Sequence, residues 1–425
     1  MTEVSKASAY PKSVQSGLPR LGTTPPGWLR GPLSQHLFEE VRPVKMADDE
    51  IYDLVTVKRS RGGVVRRERL KGREIAVKSQ FRLKAGDFLI SKRQIVHGAC
   101  GIVPLQLEGA IVSNEYSVLR ARPSLDLEFL NCLAHSVYFQ QTCFHSSIGV
   151  HVEKMIFKLS EWLKWDFDLP PVCEQRRIAD VLCTWDRAIE AVGQLIANAE
   201  DQKAALIQML LTGRTRLPGF SGDWSTKSLD ALFWFKKGRG LSKGAVTNDG
   251  ANPCLLYGEL YTRYPEVIDE VLGRTDDRDG EPSVVGDVLI PGSTTTSGID
   301  LANATALLRE GVLLGGDINI LRAKDRRQSA PFFAYLLTHV MKAEIASRAQ
   351  GITIIHLYGS DLKPLQVSTP SDQEQHAIAR ILMGADAEIV RLKAQLTALR
   401  KEKAGLMQQL LAGKRRVRLS ESEAA

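Results

Sequence analysis

The sequence predicts an α+β fold built as an internal duplication, two similar mixed α/β domains each followed by one long helix. Three observations predict it. Position n matches position n+200 across one long segment. That segment carries a heptad pattern in both copies. Shorter strand-like strings echo at nearly the same offset.

The long match comes first. Glu174-Gln175 falls on Glu374-Gln375, Ile178-Ala179 on Ile378-Ala379, Leu182 on Leu382, Asp186 on Asp386 and Ile189 on Ile389. Lys203-Ala204, Leu206, Gln208, Leu210-Leu211 and Gly213 fall on Lys403-Ala404, Leu406, Gln408, Leu410-Leu411 and Gly413. No gap interrupts it. Apolar residues alternate four and three apart, beginning Ile178, Leu182, Trp185, Ile189 in one copy. The other copy has Ile378, Leu382, Ile389 and Leu392. This is an a/d seam and predicts a coiled coil. Prolines precede each helix (Pro170-Pro171 and Pro370), and Ser371 or Asp372 can cap the second. Gly213 and Gly413 suit the residue after each C-terminus. Each rod would be roughly 57 Å long.

Two repeated pairs of charges need a reading. Lys203 and Lys403 share one seam position. Such a lysine can set register, or it can snorkel with its ammonium in water, which is the expectation here. Glu174 and Glu374 lie in the first turn of each helix, where an acid favours the positive pole. They are read as structural.

The globular halves echo more faintly. Trp28 follows Pro25-Pro26-Gly27, and Trp224 follows Pro218-Gly219-Phe220. Gly86-Asp87-Phe88-Leu89-Ile90 parallels Gly286-Asp287-Val288-Leu289-Ile290, a turn leading into a short strand. Leu119-Arg120-Ala121 parallels Leu321-Arg322-Ala323, and Phe129 to His135 parallels Phe333 to His339. Ser147-Ile148-Gly149-Val150 parallels Gln350-Gly351-Ile352-Thr353. The stretches between these landmarks differ. The expected partition is a flexible leader 1–22, a first domain 23–172, a helix 173–215, a second domain 216–372, a helix 373–414 and a tail 415–425.

Composition bounds the function. A chain of 425 residues fits two to three domains. No run of about 18 uncharged apolar residues occurs, so no transmembrane helix is expected. The N-terminus has no apolar signal region. Cys100, Cys132, Cys143, Cys173, Cys183 and Cys254 form no CxxC pair, which favours free thiols in a reducing cytoplasm. The net charge is +7, and basic residues crowd 58–93, including Arg66, Arg67, Arg69, Lys71 and Arg73. An anionic partner and a merely solvated surface are both open.

Catalytic patterns are absent. There is no GxxxxGK[ST] loop, dinucleotide fingerprint, GxSxG or HExxH. The Asn/Asp-Pro-Pro-aromatic motif of amino-methyltransferases is also missing; Asn252-Pro253-Cys254 is not one. His145, His151 and His356 are scattered and read as surface or core residues, and no metal site is expected.

Two variable domains, each followed by Pro-x-x-x-Glu-Gln-x-x-Ile-Ala-x-x-Leu and a heptad helix ending Leu-Leu-x-Gly-(Arg/Lys), resemble the specificity subunit of type I restriction–modification enzymes. The segments here are 170–213 and 370–413. Leu256-Tyr257-Gly258-Glu259-Leu260-Tyr261-Thr262, Gly315-Gly316-Asp317-Ile318-Asn319-Ile320-Leu321 and His356-Leu357-Tyr358-Gly359-Ser360-Asp361-Leu362 also resemble that family's strings. The resemblance implies two target-recognition domains separated by two antiparallel coiled-coil helices, in a pseudo-two-fold repeat. It implies a non-catalytic cytoplasmic subunit reading a bipartite, asymmetric site in double-stranded DNA. Two modification subunits would methylate adenine, and restriction subunits would translocate and cleave. S-adenosylmethionine, ATP and Mg would reside in those partners, with no cofactor in this chain. The first domain departs from the pattern: it lacks the Gly-Glu-Leu-Tyr string and has the basic 58–93 stretch instead.

Phosphates would be met by Lys and Arg, and base edges by Arg, Lys, Asn or Gln. Candidates in the first domain are Lys58, Arg59, Arg61, Lys92, Arg93, Gln94 and Asn114. In the second they are Tyr257, Glu259, Tyr261, Ser293, Thr294, Thr295 and His356. The helix length would set the unread gap between half-sites. The rival readings are a coiled-coil adaptor with no DNA role, a complete methyltransferase or nuclease with undetected motifs, and a DNA reader in a methylation-only or other defence complex.

Overall fold

The computed structural model describes residues 17–247 and 249–418. Two compact units share the chain. Of the described residues, the first comprises 17–191 and 396–418, and the second those within 192–395. The long helices run over Val172–Leu210 and Asp372–Leu411. Each is therefore divided between the units, a partition that a linear reading into domains and spacers does not capture. Most of the expected leader and tail lies outside the described residues. Its described part is not free: Gly22 O accepts from Arg30 at 2.6 Å, and Gly17 O contacts His145 Nε2 at 3.1 Å.

In the first unit one sheet runs in the order Leu37–Glu39, Tyr116–Ala121, Phe88–Ser91, Cys100–Ile102. In the second the order is Phe233–Lys237, Ile318–Ala323, Asp287–Pro291, Thr305–Leu307, with Val267–Ile268 added at the edge. The registers agree: Leu119 pairs Glu39 and Phe88, and Leu321 pairs Phe235 and Val288. Each sheet starts from the same turn. Asp87 Oδ2 accepts from Lys84 N at 2.7 Å, and Asp287 Oδ2 from Val284 N at 2.8 Å. Both carboxylates are fully buried, so each needs a cation. Arg322 supplies it for Asp287 at 2.7 Å; at Asp87 the matching Arg120 lies at 3.4 Å and Arg42 adds a closer contact at 2.6 Å.

A second sheet also recurs. Gln80–Arg82, Ile111–Ser113, Ile51–Val57 and Val64–Lys71 follow one another in the first unit. Glu281–Pro282, Leu313–Leu314, Asn252–Leu255 and Arg274–Thr275 do so in the second. The same pair is parallel in both. The units diverge between the last two strands. The first has a six-residue turn, 58–63. The second has the helix Glu259–Thr262 and the strand Val267–Ile268. The basic run 66–73 belongs mainly to the edge strand Val64–Lys71, where Arg66 pairs with Asp53 at 3.0 Å. Charged edges block further strand addition, which accounts for part of that run without a ligand.

The helix halves pack within each unit and run antiparallel there. In the first unit, Ile178 and Leu182 sit in one core with Leu410. In the second, Ile378 and Leu382 share a core with Ile207 and Leu210. Ile389 and Leu392 are buried, while Trp185 and Ile189 are half-buried. Burial of a Leu or Ile side chain contributes roughly 1.5–3 kcal/mol, so these stripes hold the halves together. Helices stop at Gly213 (φ 68°) and Gly413 (φ 62°), where a side chain would be strained and would press on Trp224 or Trp28.

Two expectations about charge change. Lys203 and Lys403 do not snorkel. Their side chains are 16% and 17% exposed, and they bond Asp386 at 2.6 Å and Asp186 at 2.5 Å. The facing helix offers a carboxylate at this level, so the ammonium bends inward rather than toward water. Glu174 and Glu374 do sit in first turns, but they are also buried under arginines. Arg216 grips Glu374 with bonds of 2.8 and 2.6 Å, and Arg416 grips Glu174 with two of 2.6 Å. The neighbouring glutamines lock the domains to the helix starts. Gln175 bonds Asp126 N and Pro170 O, each at 2.8 Å. Gln375 bonds Ser329 N at 3.2 Å and Pro370 O at 3.1 Å. The repeated Glu-Gln pair is thus a joint.

Candidate nucleic-acid interface

The candidate residues gather at one end of the sheets in the first unit. The 58–63 turn is fastened to the loop after Phe88–Ser91: Ser60 N donates to His97 O at 2.7 Å, Arg61 N to Gly98 O at 2.8 Å. Ser60 and Arg61 both adopt positive φ to make this turn. Arg59 Nε donates to Gln94 Oε1 at 2.8 Å, and its Nη2 bonds Glu153 at 2.8 Å. Lys92 Nζ donates to Asn114 O at 2.9 Å, and Arg93 pairs with Glu115. Lys58, Arg59, Arg93 and Asn114 are exposed. Arg61 turns inward instead. Its Nη1 reaches Ala134 O at 3.4 Å, its Nε is buried without a partner among the described residues, and burial pulls the guanidinium below its ordinary pKa.

In the second unit the candidates form two groups. Tyr257, Glu259 and Tyr261 occupy the segment that replaces the 58–63 turn. Glu259 caps its own helix, accepting from Leu256 N at 3.1 Å and pairing with Arg263 at 3.1 Å. Ser293 and Thr294 form a short ladder with His356 and Ile355. Both are buried, Ser293 bonding Asp317 and Thr294 bonding Thr296. Thr295 is exposed. His356 stacks on Tyr358 at 5.8 Å.

Topology relates the two sets. Lys92, Arg93 and Gln94 leave the same strand end as Gly292, Ser293 and Thr294. The basic turn and the 256–273 segment join the same two strands. The match of 86–90 with 286–290 already implied the first equivalence; only the strand order gives the second.

A groove lies beside this ladder in each unit, about 440 Å³ in the first and about 370 Å³ in the second. Its lining is equivalent by position and different by chemistry. Glu39, Lys92, Ile156, Lys158 and Leu163 in the first unit stand where Phe235, Gly292, His356, Tyr358 and Lys363 stand in the second. Lys236 and Lys237 add two cations to the second groove. They are held by Glu281 at 2.9 Å and Asp317 at 3.2 Å, and the Lys236 hydrogen bond holds the Glu281 carboxyl below its ordinary pKa. Lys236, Lys237, Tyr358 and Lys363 were missed by sequence reasoning. The run Phe235-Lys236-Lys237-Gly238-Arg239-Gly240 was the available signal, basic and glycine-rich at once.

Among the described residues no group of three or more His, Cys, Asp or Glu could hold a metal ion, and no helix is long and apolar enough to cross a membrane.

Fold and site together define a duplicated α+β protein, with a conserved frame and unlike polar loops in its two units. Comparison with known proteins places that class. Residues 221–399 match the family model of the type I restriction modification DNA specificity domain. A protein named as the type I restriction enzyme MjaX specificity subunit, from Methanocaldococcus jannaschii, is 24% identical over 269 residues. That match spans 59% of this chain and 59% of the relative. The HsdS subunit from Thermoanaerobacter tengcongensis has a similar fold (TM-score 0.52, 18% identity, 93% of this chain and 99% of that one). So has the type I restriction–modification S subunit from M. genitalium (TM-score 0.55, 16% identity, 95% and 100%). A chain from a study of complex assembly and conformational transition of the type I R-M system aligns with TM-score 0.56 at 18% identity, covering 92% and 99%. The resemblance read from the sequence holds: residues 221–399 match the type I DNA specificity domain, and the chain is similar to type I specificity subunits in sequence and fold.

Proposed function

We propose that this chain is the DNA-reading subunit of a type I restriction–modification complex, each unit reading one half of a bipartite, asymmetric site. One observation carries the reading. The two units place unlike side chains at equivalent loop positions on a common frame, as two different half-sites require. Lysines and arginines of these loops neutralise phosphates and set register. Arg59 and Gln94, already hydrogen-bonded together, offer groups suited to guanine and adenine edges. In the second unit His356 and Thr295 face the same task.

The chain is proposed to be non-catalytic and to hold no cofactor. Two modification subunits would bring S-adenosylmethionine, and restriction subunits would bring ATP and Mg. A duplicated chain offers a two-copy partner two like surfaces, as a symmetric dimer does. The test is co-expression with the cognate modification subunit followed by methylome sequencing. A bipartite adenine-methylated motif is expected. Absence of methylation and of any affinity for DNA, with partner binding that ignores salt, would favour an adaptor instead.

A further inference from the structure

Each unit carries one hairpin that packs on the core through part of its tip, Val152 and Met155 in the first and Ile355 in the second, but leaves one side chain beyond its neck uncovered. In the first, Ser147–Ile148 pairs with Ile156–Phe157 around the tip 149–155. In the second, the bridge Gln350–His356 closes the tip 351–355. The closing bridge precedes a glycine in both, which sets Gly149 opposite Gly351 and Val150 opposite Ile352. Neither glycine can be replaced without collision. A Cβ on Gly149 would lie 2.8 Å from Met155 Cα, and one on Gly351 2.0 Å from Ile354 O. Beyond this neck each hairpin presents a branched aliphatic residue to solvent, Val150 at 90% and Ile352 at 99% exposure.

One exposed aliphatic residue needs no explanation. The same residue type on the same narrow neck, in two loops that otherwise diverge, does. The stems of both hairpins belong to the candidate interface. Glu153 at the first tip bonds Arg59, and Phe157 N donates to Lys92 O at 2.9 Å. At the second, Ile355 and His356 pair with Thr294 and Ser293. A protein interface needs on the order of 1,200 Å² or more, and a tip with two or three apolar side chains supplies only a fraction of that. A gap between base pairs matches one such side chain, and cations beside it suit the flanking phosphates.

We propose that Val150 and Ile352 are wedges that enter the base stack of duplex DNA, one in each half-site. The proposal rests on the DNA-reading function above. It makes the hairpin tips the distorting elements and leaves base identity to the loops around them.

The test uses the full chain in complex with its cognate modification subunit and a duplex carrying the methylome-defined motif. 2-Aminopurine is placed at successive positions, and its fluorescence reports unstacking. The wild-type complex is expected to show a rise at one step in each half-site. Ile352→Ser should abolish the rise in one half and Val150→Ser in the other. Each should weaken binding roughly tenfold with the salt dependence unchanged, while Ile352→Leu keeps both. Both side chains are exposed, so folding should survive. Binding without a rise at any position, or serine variants with unaltered fluorescence and affinity, would overturn the wedge. So would loss of assembly with the modification subunit in Ile352→Ser, which would make the tip a protein contact. Failure of the wild-type complex to prefer its motif over random duplex would instead overturn the DNA-reading function itself.

Discussion

The two grooves differ more than the sheets that hold them. The first is lined by Glu39, Ile156 and Leu163 with lysines at 92 and 158, the second by Phe235, His356, Tyr358 and three lysines. The sheets beneath share strand order and register. Core positions see only neighbouring apolar atoms, so one solution serves twice. Groove positions see solvent and whatever binds, so each copy can hold a different chemistry. The same contrast appears one layer deeper. His135 and His339 occupy matching positions, yet His339 bonds Glu266 at 2.5 Å, while His135 lies half-buried near Arg61 and Lys403.

That second contrast sets how the stability of each unit depends on pH. Burial, with the Arg61 and Lys403 charges, pushes the His135 pKa down to about 4 from 6.5. The unfolded chain takes a proton below pH 6.5 that the folded first unit refuses until about pH 4. Stability is therefore intact above pH 6.5 and falls across that window, by about 3 kcal/mol. In the second unit burial raises the Glu266 carboxyl, but His339 and Lys203 outweigh it and hold it at about 2. Its contribution is lost only as pH falls from about 4.5 toward 2. Hydrogen exchange along an acid titration should show the first unit opening first. His135→Gln should flatten the fall above pH 4; equal sensitivity of both units would break the comparison.

The grooves should differ in DNA affinity. Replacing Lys236, Lys237 and Lys363 together by alanine is expected to weaken binding roughly a hundredfold near physiological salt. The log–log salt slope should fall by about 3. Replacing Lys92 and Lys158 should remove about 2 from the slope. Titrations at several salt concentrations measure both, and equal slopes for all variants would end the assignment of these grooves to phosphates.

A smaller asymmetry lies in the seam. Lys203 is surrounded by Asp386 and Glu266, with the Tyr335 ring 5.4 Å away. Lys403 has Asp186, which is 58% exposed. Lys203→Met should cost about 3 kcal/mol by removing the cation shared by two carboxylates, which keep only Tyr335 and His339, and Lys403→Met about 1 kcal/mol. Denaturant melts of the two variants check the difference.

The smallest expected difference concerns the glutamine joints. Gln175→Ala loses three hydrogen bonds, including one to Ser124 O at 3.1 Å, and Gln375→Ala loses two longer ones. The first should destabilise by about 3 kcal/mol and the second by about 2. The same melts would show whether the order holds.

Much of the frame was legible in the sequence because periodicity and punctuation are local. The heptad stripe, the stop glycines and the Gly-Asp turns need only their own neighbours to be recognised. The candidate loops were legible in part. Lys92, Gln94 and His356 announce themselves by type, but the equivalence of the 58–63 turn with the 256–273 segment has no counterpart in residue identity. It exists only because both join the same two strands.

The duplication, the two long helices and their ends follow from the sequence alone. So does the resemblance to specificity subunits, which lies in contiguous motifs. Tertiary structure decided the rest. It turned Lys203 and Lys403 inward to Asp386 and Asp186, buried Glu174 and Glu374 under distant arginines, and pointed Arg61 away from solvent. Each of these depends on a partner more than 70 residues away in the chain. Local pattern carries no record of which charge will face another across a fold; only packing brings the pair together and sets its energy.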